Sequence, residues 1–145
     1  MLKTLIVEDN ALFRLLFGKC LQNLRPDMLI DEALDGCHVV ELVGILKPDI
    51  VFMDINLPCA NGLCLTRKIK SIHPQITIVI VTSHDQPEYK EAAKAAGADH
   101  FLQKDALDRV EIKAILSALH DQTSNPAQPL LPKSTSKAIN LSRSW

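Results

Sequence analysis

The sequence carries no excess of either charge: 16 Lys and Arg stand against 17 Asp and Glu, a formal net charge of -1. That balance excludes the basic footprint of a nucleic-acid surface and the charge block of an acidic tail. Long apolar runs are also missing. The uninterrupted apolar stretches are a few residues each, far short of the roughly 20 that cross a bilayer, so no membrane segment is expected. Met1-Leu2-Lys3-Thr4 leads directly into the strand-like Leu5-Ile6-Val7, without the apolar stretch and cleavage site of a signal peptide, and a cytoplasmic location is the expectation. The cysteines Cys20, Cys37, Cys59 and Cys64 form no CxxC pair and no metal-ligand spacing, and read as reduced thiols of a cytosolic protein. With 145 residues the chain is one domain by prior, a size that buries roughly 70% of its unfolded surface.

What is present is an alternation. Leu2–Val7 reads as a strand, and Asn10 as the N-cap of a helix in which Leu12, Leu15, Leu16 and Leu24 recur up to Pro26. Met28–Ala33 is a second strand, after which Asp35-Gly36 opens a helix with the stripe Val39, Val40, Val43 and Leu46, ending at Pro48. The run Ile50-Val51-Phe52-Met53 then meets a carboxylate, Asp54, before Pro58. Such a run is a strand buried on both faces. Asn61-Gly62 precedes a third helix with Leu65, Ile69 and Ile72 on one face, followed by the β-branched strand Ile76–Val81. Pro87 sits in the first turn of a fourth helix that Gly97 stops. A short strand at Phe101-Leu102 and a last helix over Leu107–Leu119 complete the pattern, the latter with apolar Val110, Ile112, Ile115, Leu116 and Leu119. Strict strand–helix alternation predicts a parallel sheet with helices on both faces. From Asp121 to Trp145 no period persists, and Pro126, Pro129 and Pro132 among Ser, Thr and Asn read as a linker or frayed tail.

Polar groups collect where the strands end. Glu8 and Asp9 follow the first strand, Asp54 the third, Thr82-Ser83 the fourth, and Lys104 the fifth. Parallel strands share a C-terminal side, so these groups fall on one edge of the sheet, where α/β folds bind ligands. Carboxylates a few ångströms apart near a surface repel by about 4 kcal/mol per pair, which calls for a cation. Mg²⁺ suits such oxygen ligands, and Thr82 and Lys104 are then donors left for the oxygens of a phosphoryl group. Taken singly, each group has a plainer role: a helix cap, a turn residue or a solvated lysine. Their joint placement on four strand ends favours phosphoryl chemistry.

The segments Leu5-Ile6-Val7-Glu8-Asp9-Asn10, Ile50 to Pro58, Val81-Thr82-Ser83 and Gly97 to Lys104 together resemble the receiver domain of two-component response regulators, over residues 1–120. The resemblance implies a doubly wound (βα)5, flavodoxin-like three-layer sandwich with strand order 2-1-3-4-5, followed by a tail at 121–145. It implies that Asp54 accepts a phosphoryl group from a histidine kinase or phosphotransfer protein. Mg²⁺ would be held by Glu8 (through water), Asp9, Asp54 and the backbone carbonyl of Asn56, with Thr82 and Lys104 on the phosphoryl oxygens. Phe101, three residues before Lys104, falls at the switch aromatic, and the surface of helix four, strand five and helix five would change on phosphorylation. Asp105 follows Lys104 where many members carry Pro, which removes the easy cis peptide and leaves that loop's geometry open. His84, two residues past Thr82, lies where the family tunes dephosphorylation; by itself it reads as a solvent-exposed loop histidine.

The function expected is a switch, not a turnover enzyme, that acts on a downstream effector or through an output domain outside this sequence. It binds neither membrane nor nucleic acid by itself, and homodimerisation stays open. Two other classes compete. A phosphatase with Asp54 as nucleophile usually needs a second acid two residues on, and that position is Asn56. A degenerate receiver serving as a phosphorylation-independent scaffold would not need the full set of acidic and cationic groups.

Overall fold

The computed structural model describes residues 1–124; the remainder of the expected tail lies outside the described residues. Two compact units, Met1–Arg109 and the segment from Val110 onward, are taken in turn.

The first unit holds β1 (Lys3–Val7), α1 (Ala11–Leu24), β2 (Leu29–Ala33), α2 (Val39–Leu46), β3 (Ile50–Met53), α3 (Gly62–Ile72), β4 (Thr77–Thr82), α4 (Pro87–Ala96), β5 (His100–Gln103) and a 3₁₀ turn, Lys104–Ala106. The strands form one parallel sheet in the order β2-β1-β3-β4-β5. This is the expected flavodoxin-like order. β1 pairs with β2 and β3 in consecutive register, Val7 opposite Ala33 and Met53, so the ends of the central strands lie level with one another.

Alternation along the strands builds two cores. Leu5, Val7, Val51, Met53, Ile78 and Ile80 join Val39 and Val43 of α2, Leu65 and Ile69 of α3 and Ala93 of α4 in one buried cluster. The alternate residues face the other way, where Phe17 of α1 sets its ring edge-on against Phe52, centroids 5.0 Å apart. Helices therefore cover both faces. Every residue of β3 is buried, as its uninterrupted apolar run requires.

The local signals behave as their chemistry dictates. Asn10 Oδ1 accepts from Phe13 N–H at 2.9 Å and starts α1, and Asn61 Oδ1 accepts from Leu63 N–H at 2.7 Å at the start of α3. Pro87 opens α4, and Gly97 closes it at φ 100°. The structure also corrects several expectations. In α1 the buried face is Phe17 and Leu21, while Leu12, Leu15 and Leu16 are exposed, because the i, i+4 aromatic pair Phe13–Phe17 turns toward the sheet and rotates the leucines outward. Asp35-Gly36 belongs to a loop and the helix begins only at Val39, since Asp35 Oδ1 accepts from Cys37 N–H (2.9 Å) in a local turn. Ile72 and Val110 are exposed rather than core.

Lys70 Nζ donates to the carbonyls of Pro74 (3.1 Å) and Ile76 (2.8 Å) and to Asp99 Oδ2 (3.0 Å). That same Asp99 oxygen accepts from Ile78 N–H at 2.9 Å.

The cysteines are not all reduced thiols, as their spacing suggested. Cys37 and Cys59 form a disulfide, and only Cys20 and Cys64 are free. The pair is invisible to spacing rules because β2 and β3 both flank β1, which brings the loops that follow them together at one edge of the sheet.

The second unit contains all but the first residue of α5 (Arg109–Ser124), with Ile112, Ile115, Leu116 and Leu119 recurring at helical spacing. No described helix is long and apolar enough to cross a membrane.

Candidate functional site

The carboxylates arrive at one place because the sheet's register delivers them. Glu8 follows β1 and its N–H still bonds Ala33 O across to β2 (3.0 Å); Asp54 follows β3 and its N–H bonds Val7 O across to β1 (3.1 Å). Both are buried, whereas Asp9, one residue further along, is exposed. One carboxylate oxygen from each of Glu8, Asp9 and Asp54 lies within 4.8 Å of the others.

A single cation spans the two buried members. Lys104 Nζ lies 2.8 Å from Glu8 Oε1 and 3.3 Å from Asp54 Oδ2. The remaining oxygens take backbone donors: Asn10 N–H reaches Glu8 Oε2 at 3.0 Å, and Ile55 N–H reaches Asp54 Oδ1 at 2.8 Å. Burial pushes the Glu8 carboxyl above its usual range, and the neighbouring Asp54 charge adds to this against the downward pull of Lys104 and the Asn10 amide. For Lys104 burial pulls the other way, but its bonds and charge attraction to Glu8 and Asp54 outweigh it, and the ammonium is held above its ordinary value.

The loop after β3 is fastened close to this cluster. Gly62 N–H donates to Ile55 O at 2.8 Å, and Thr66 Oγ1 donates to Gly62 O at 2.8 Å. A Cβ on Gly62 would run into the carbonyl of Asp54, so only glycine lets α3 start this close to the carboxylate. Asn56 and Asp9 line the same open hollow of about 360 Å³, together with Leu57, Pro58 and Asn61.

Thr82 is the last residue of β4 and fully buried, its Oγ1 accepting from His84 N–H at 3.3 Å. Phe101 is half-buried in β5 beside Ile80 and packs on the α2–α3–α4 core cluster. The structure thus gathers Glu8, Asp9, Asp54 and Lys104 into contact range, sets Asn56 beside Asp9, and puts Thr82 on the neighbouring strand end. Lys104 opens the 3₁₀ turn through Asp105 and Ala106, and no peptide among the described residues is cis.

Two participants, Phe13 and Arg14, escaped the sequence reading, and a third, His84, has more partners than an exposed loop histidine would. Lys104 Nζ stands over the Phe13 ring, 4.6 Å from its centroid, a cation–π contact beside its bonds to the carboxylates. Arg14 donates to Glu8 O (2.8 Å) and pairs with Glu32 (3.0 Å), which fixes the turn carrying the acidic pair. His84 is no free loop histidine: it lies 2.6 Å from Asn56 Nδ2 and stacks on Tyr89 with centroids 4.2 Å apart. The i, i+4 placement of Phe13 and Phe17 was the one available signal for the first of these.

Three oxygen donors, two of them buried and with no sulfur or imidazole among them, fit a hard divalent cation such as Mg²⁺. A lysine already bonded to the buried pair is placed to turn to an incoming anion.

The response regulator receiver domain family matches residues 4–117. The chain is 31% identical over 141 residues to the oxygen regulatory protein NreC of Staphylococcus carnosus, covering 96% of this chain and 62% of that protein. It is 32% identical over 106 residues to the response regulator GacA of Pseudomonas aeruginosa, covering 73% of this chain and 50% of that protein. The chain spans about half the length of the curated relatives it matches. Among solved structures, the signal receiver domain of a DNA-binding response regulator from Colwellia psychrerythraea superposes with a TM-score of 0.78 at 24% identity, covering 84% of this chain and all of that one.

Proposed function

The chain belongs to the receiver domain family of two-component response regulators, and from that membership we propose that it is a phosphorylation-controlled signalling switch with Asp54 as phosphoacceptor. The observation that carries this is the buried Asp54 carboxylate bonded to Lys104 at 3.3 Å, with oxygens of Glu8 and Asp9 within 4.8 Å.

In this reading one Asp54 carboxylate oxygen attacks the phosphorus of a phosphohistidine on a sensor kinase or phosphotransfer protein. The O–P bond forms as the N–P bond breaks, and the donor imidazole leaves. Asp54 Oδ1 is held by the Ile55 amide, which leaves Oδ2, on the Lys104 side, for the attack. Glu8, Asp9, Asp54 and the Asn56 carbonyl would hold Mg²⁺, which when bound neutralises charge building on the transferred phosphoryl oxygens. Lys104 gives up its bond to Asp54 and pairs with one of those oxygens, while its bond to Glu8 keeps it oriented.

The product adds about two negative charges and three acceptor oxygens at the sheet edge. Thr82 donates its hydroxyl to one of them, and Phe101 responds from β5. The surface around α4 and β5 is then biased between two arrangements. An effector reads it, either a separate protein or an output domain of the same polypeptide. The reaction is self-modification with slow hydrolysis, and the setting is the cytoplasm.

Intact mass after incubation with acetyl phosphate and Mg²⁺ tests the assignment. The expected result is a gain of one phosphoryl group that requires Mg²⁺ and is lost in Asp54→Asn. Undiminished uptake by Asp54→Asn would sink it, as would continuous phosphate release from varied esters.

A further inference from the structure

Two loops at the C-terminal edge of the sheet carry one cysteine each. Cys37 lies between β2 and α2, Cys59 between β3 and α3, and their disulfide joins positions 22 residues apart with Cα atoms at 5.2 Å. Both residues are exposed. The loops also meet through backbone: Gly36 N–H donates to Pro58 O at 3.0 Å, and a Cβ on Gly36 would stand 2.8 Å from Ala60 Cβ. Cys59 itself holds φ 81°, a left-handed conformation that residues bearing a Cβ adopt uncommonly and at some cost.

We infer that Cys37 and Cys59 form a reversible two-electron modification site for low-molecular-weight thiols and disulfides, and that its oxidised state clamps the loop between β3 and α3. A disulfide kept only for stability is best shielded; this one joins two exposed residues, and exposed disulfides are the labile ones. In a reducing compartment such a bond is transient and works as a sensor.

The chemistry balances. One cysteine thiolate attacks a reagent disulfide of the glutathione type, forming a mixed disulfide and releasing one reagent thiol. The second cysteine thiolate displaces the other. Two electrons and two protons leave the protein on two reagent thiols, and excess thiol reverses both steps.

The consequence falls on the candidate site. The clamped loop begins directly after Asp54, carries Asn56, and ends at Gly62 against the Asp54 carbonyl. With the bond open, the hydrogen bond from Gly36 N–H to Pro58 O still joins the two loops, but the covalent restraint on Cys59 is gone. Resting on the proposed metal role of the Asn56 carbonyl, closure of the disulfide holds that ligand in place and tightens Mg²⁺ binding.

The test uses the full chain equilibrated in glutathione buffers of stepped ratio, quenched in acid, alkylated in denaturant and weighed intact. Two adducts, on Cys20 and Cys64, are expected at the oxidising end and four at the reducing end, with no buildup of three. Cys37→Ser should give three at every ratio under thiol excess. Amide exchange of residues 55–61 should be roughly tenfold slower in the oxidised form, with Cys37→Ser/Cys59→Ser matching the reduced one. Calorimetry should find Mg²⁺ bound several-fold more tightly by the oxidised form. Four adducts at every ratio, or equal loop exchange in both forms, would overturn the inference. Absent Mg²⁺ binding alongside a redox-dependent loop would overturn only the metal reading and the coupling that rests on it.

Discussion

Lys104→Met tests the electrostatics of the site without touching an acid. The variant keeps the length of the side chain and its position over the Phe13 ring but removes the charge that lies 2.8 Å from Glu8 and 3.3 Å from Asp54. Two buried carboxylates are then left facing each other beside Asp9. At the 4.8 Å that bounds their separation, an effective dielectric of about 20 gives roughly 3.5 kcal/mol of repulsion per ionised pair. Uncompensated buried charges after loss of a partner cost about 3–5 kcal/mol. Because the Lys104 side chain retains some solvent access, a loss of about 2–3 kcal/mol at about pH 8 is the expectation. For a domain of this size that lowers Tm by roughly 10 °C.

The pH dependence carries the sharper signature. Glu8 already titrates above its ordinary value of 4.5 because of burial, and loss of Lys104 removes two influences that restrain it. A raised acid contributes stability that is fully present below the unfolded value and lost as pH rises through the folded one. The variant's deficit should therefore shrink as the pH falls from about 8 to the acid side of neutrality, where Glu8 takes up a proton in place of the lysine's charge. In the parent, Lys104, held above its ordinary value, contributes stability that is lost only in strong alkali. Thermal melts of both proteins between those limits measure the difference. A deficit equal at both ends, or none at all, would refute the electrostatic account.

Two further substitutions probe the frame of the site. Gly62→Ala forces a Cβ onto the Asp54 carbonyl, 2.8 Å from its carbon and 3.0 Å from Ile55 Cα, where backbone cannot rotate away. A loss of about 3 kcal/mol is expected, read as a lower urea midpoint at unchanged slope, and an unaltered midpoint would show that the loop yields freely. Asn10→Ala removes the cap on Phe13 N–H, and chemical denaturation should register about 1 kcal/mol; a change below a few tenths would mean that Glu8 alone anchors the start of α1.

The parts of the site visible in the sequence are those encoded locally. An apolar run that stops at a carboxylate marks a strand end by itself, so Asp54, Glu8, Asp9 and Lys104 could be assigned to one edge before any coordinates. The residues that hold these groups in place could not. Lys104 rests on Phe13 only because α1 starts at that edge, and His84 meets Asn56 only because two loops converge. Cys37 and Cys59 belong to the same class, since nothing in their spacing records that both loops flank β1. The α1 leucines show the opposite failure: their helical period is real, yet period alone does not say which of two apolar faces turns inward, and the aromatic one does.

The corner built by Lys70 sets how the far end of the sheet can move. An ammonium has three N–H bonds, and Pro74 O, Ile76 O and Asp99 Oδ2 take all of them. Asp99 in turn holds the start of β4 through Ile78, one residue before β5 begins. β4 and β5 are thus pinned together at the end opposite Thr82 and Lys104. Strands of four to six residues span roughly 13–20 Å, so they act as short levers on a fixed pivot. A displacement imposed at the acidic edge is then expected to be largest beside Thr82 and smallest at Lys70.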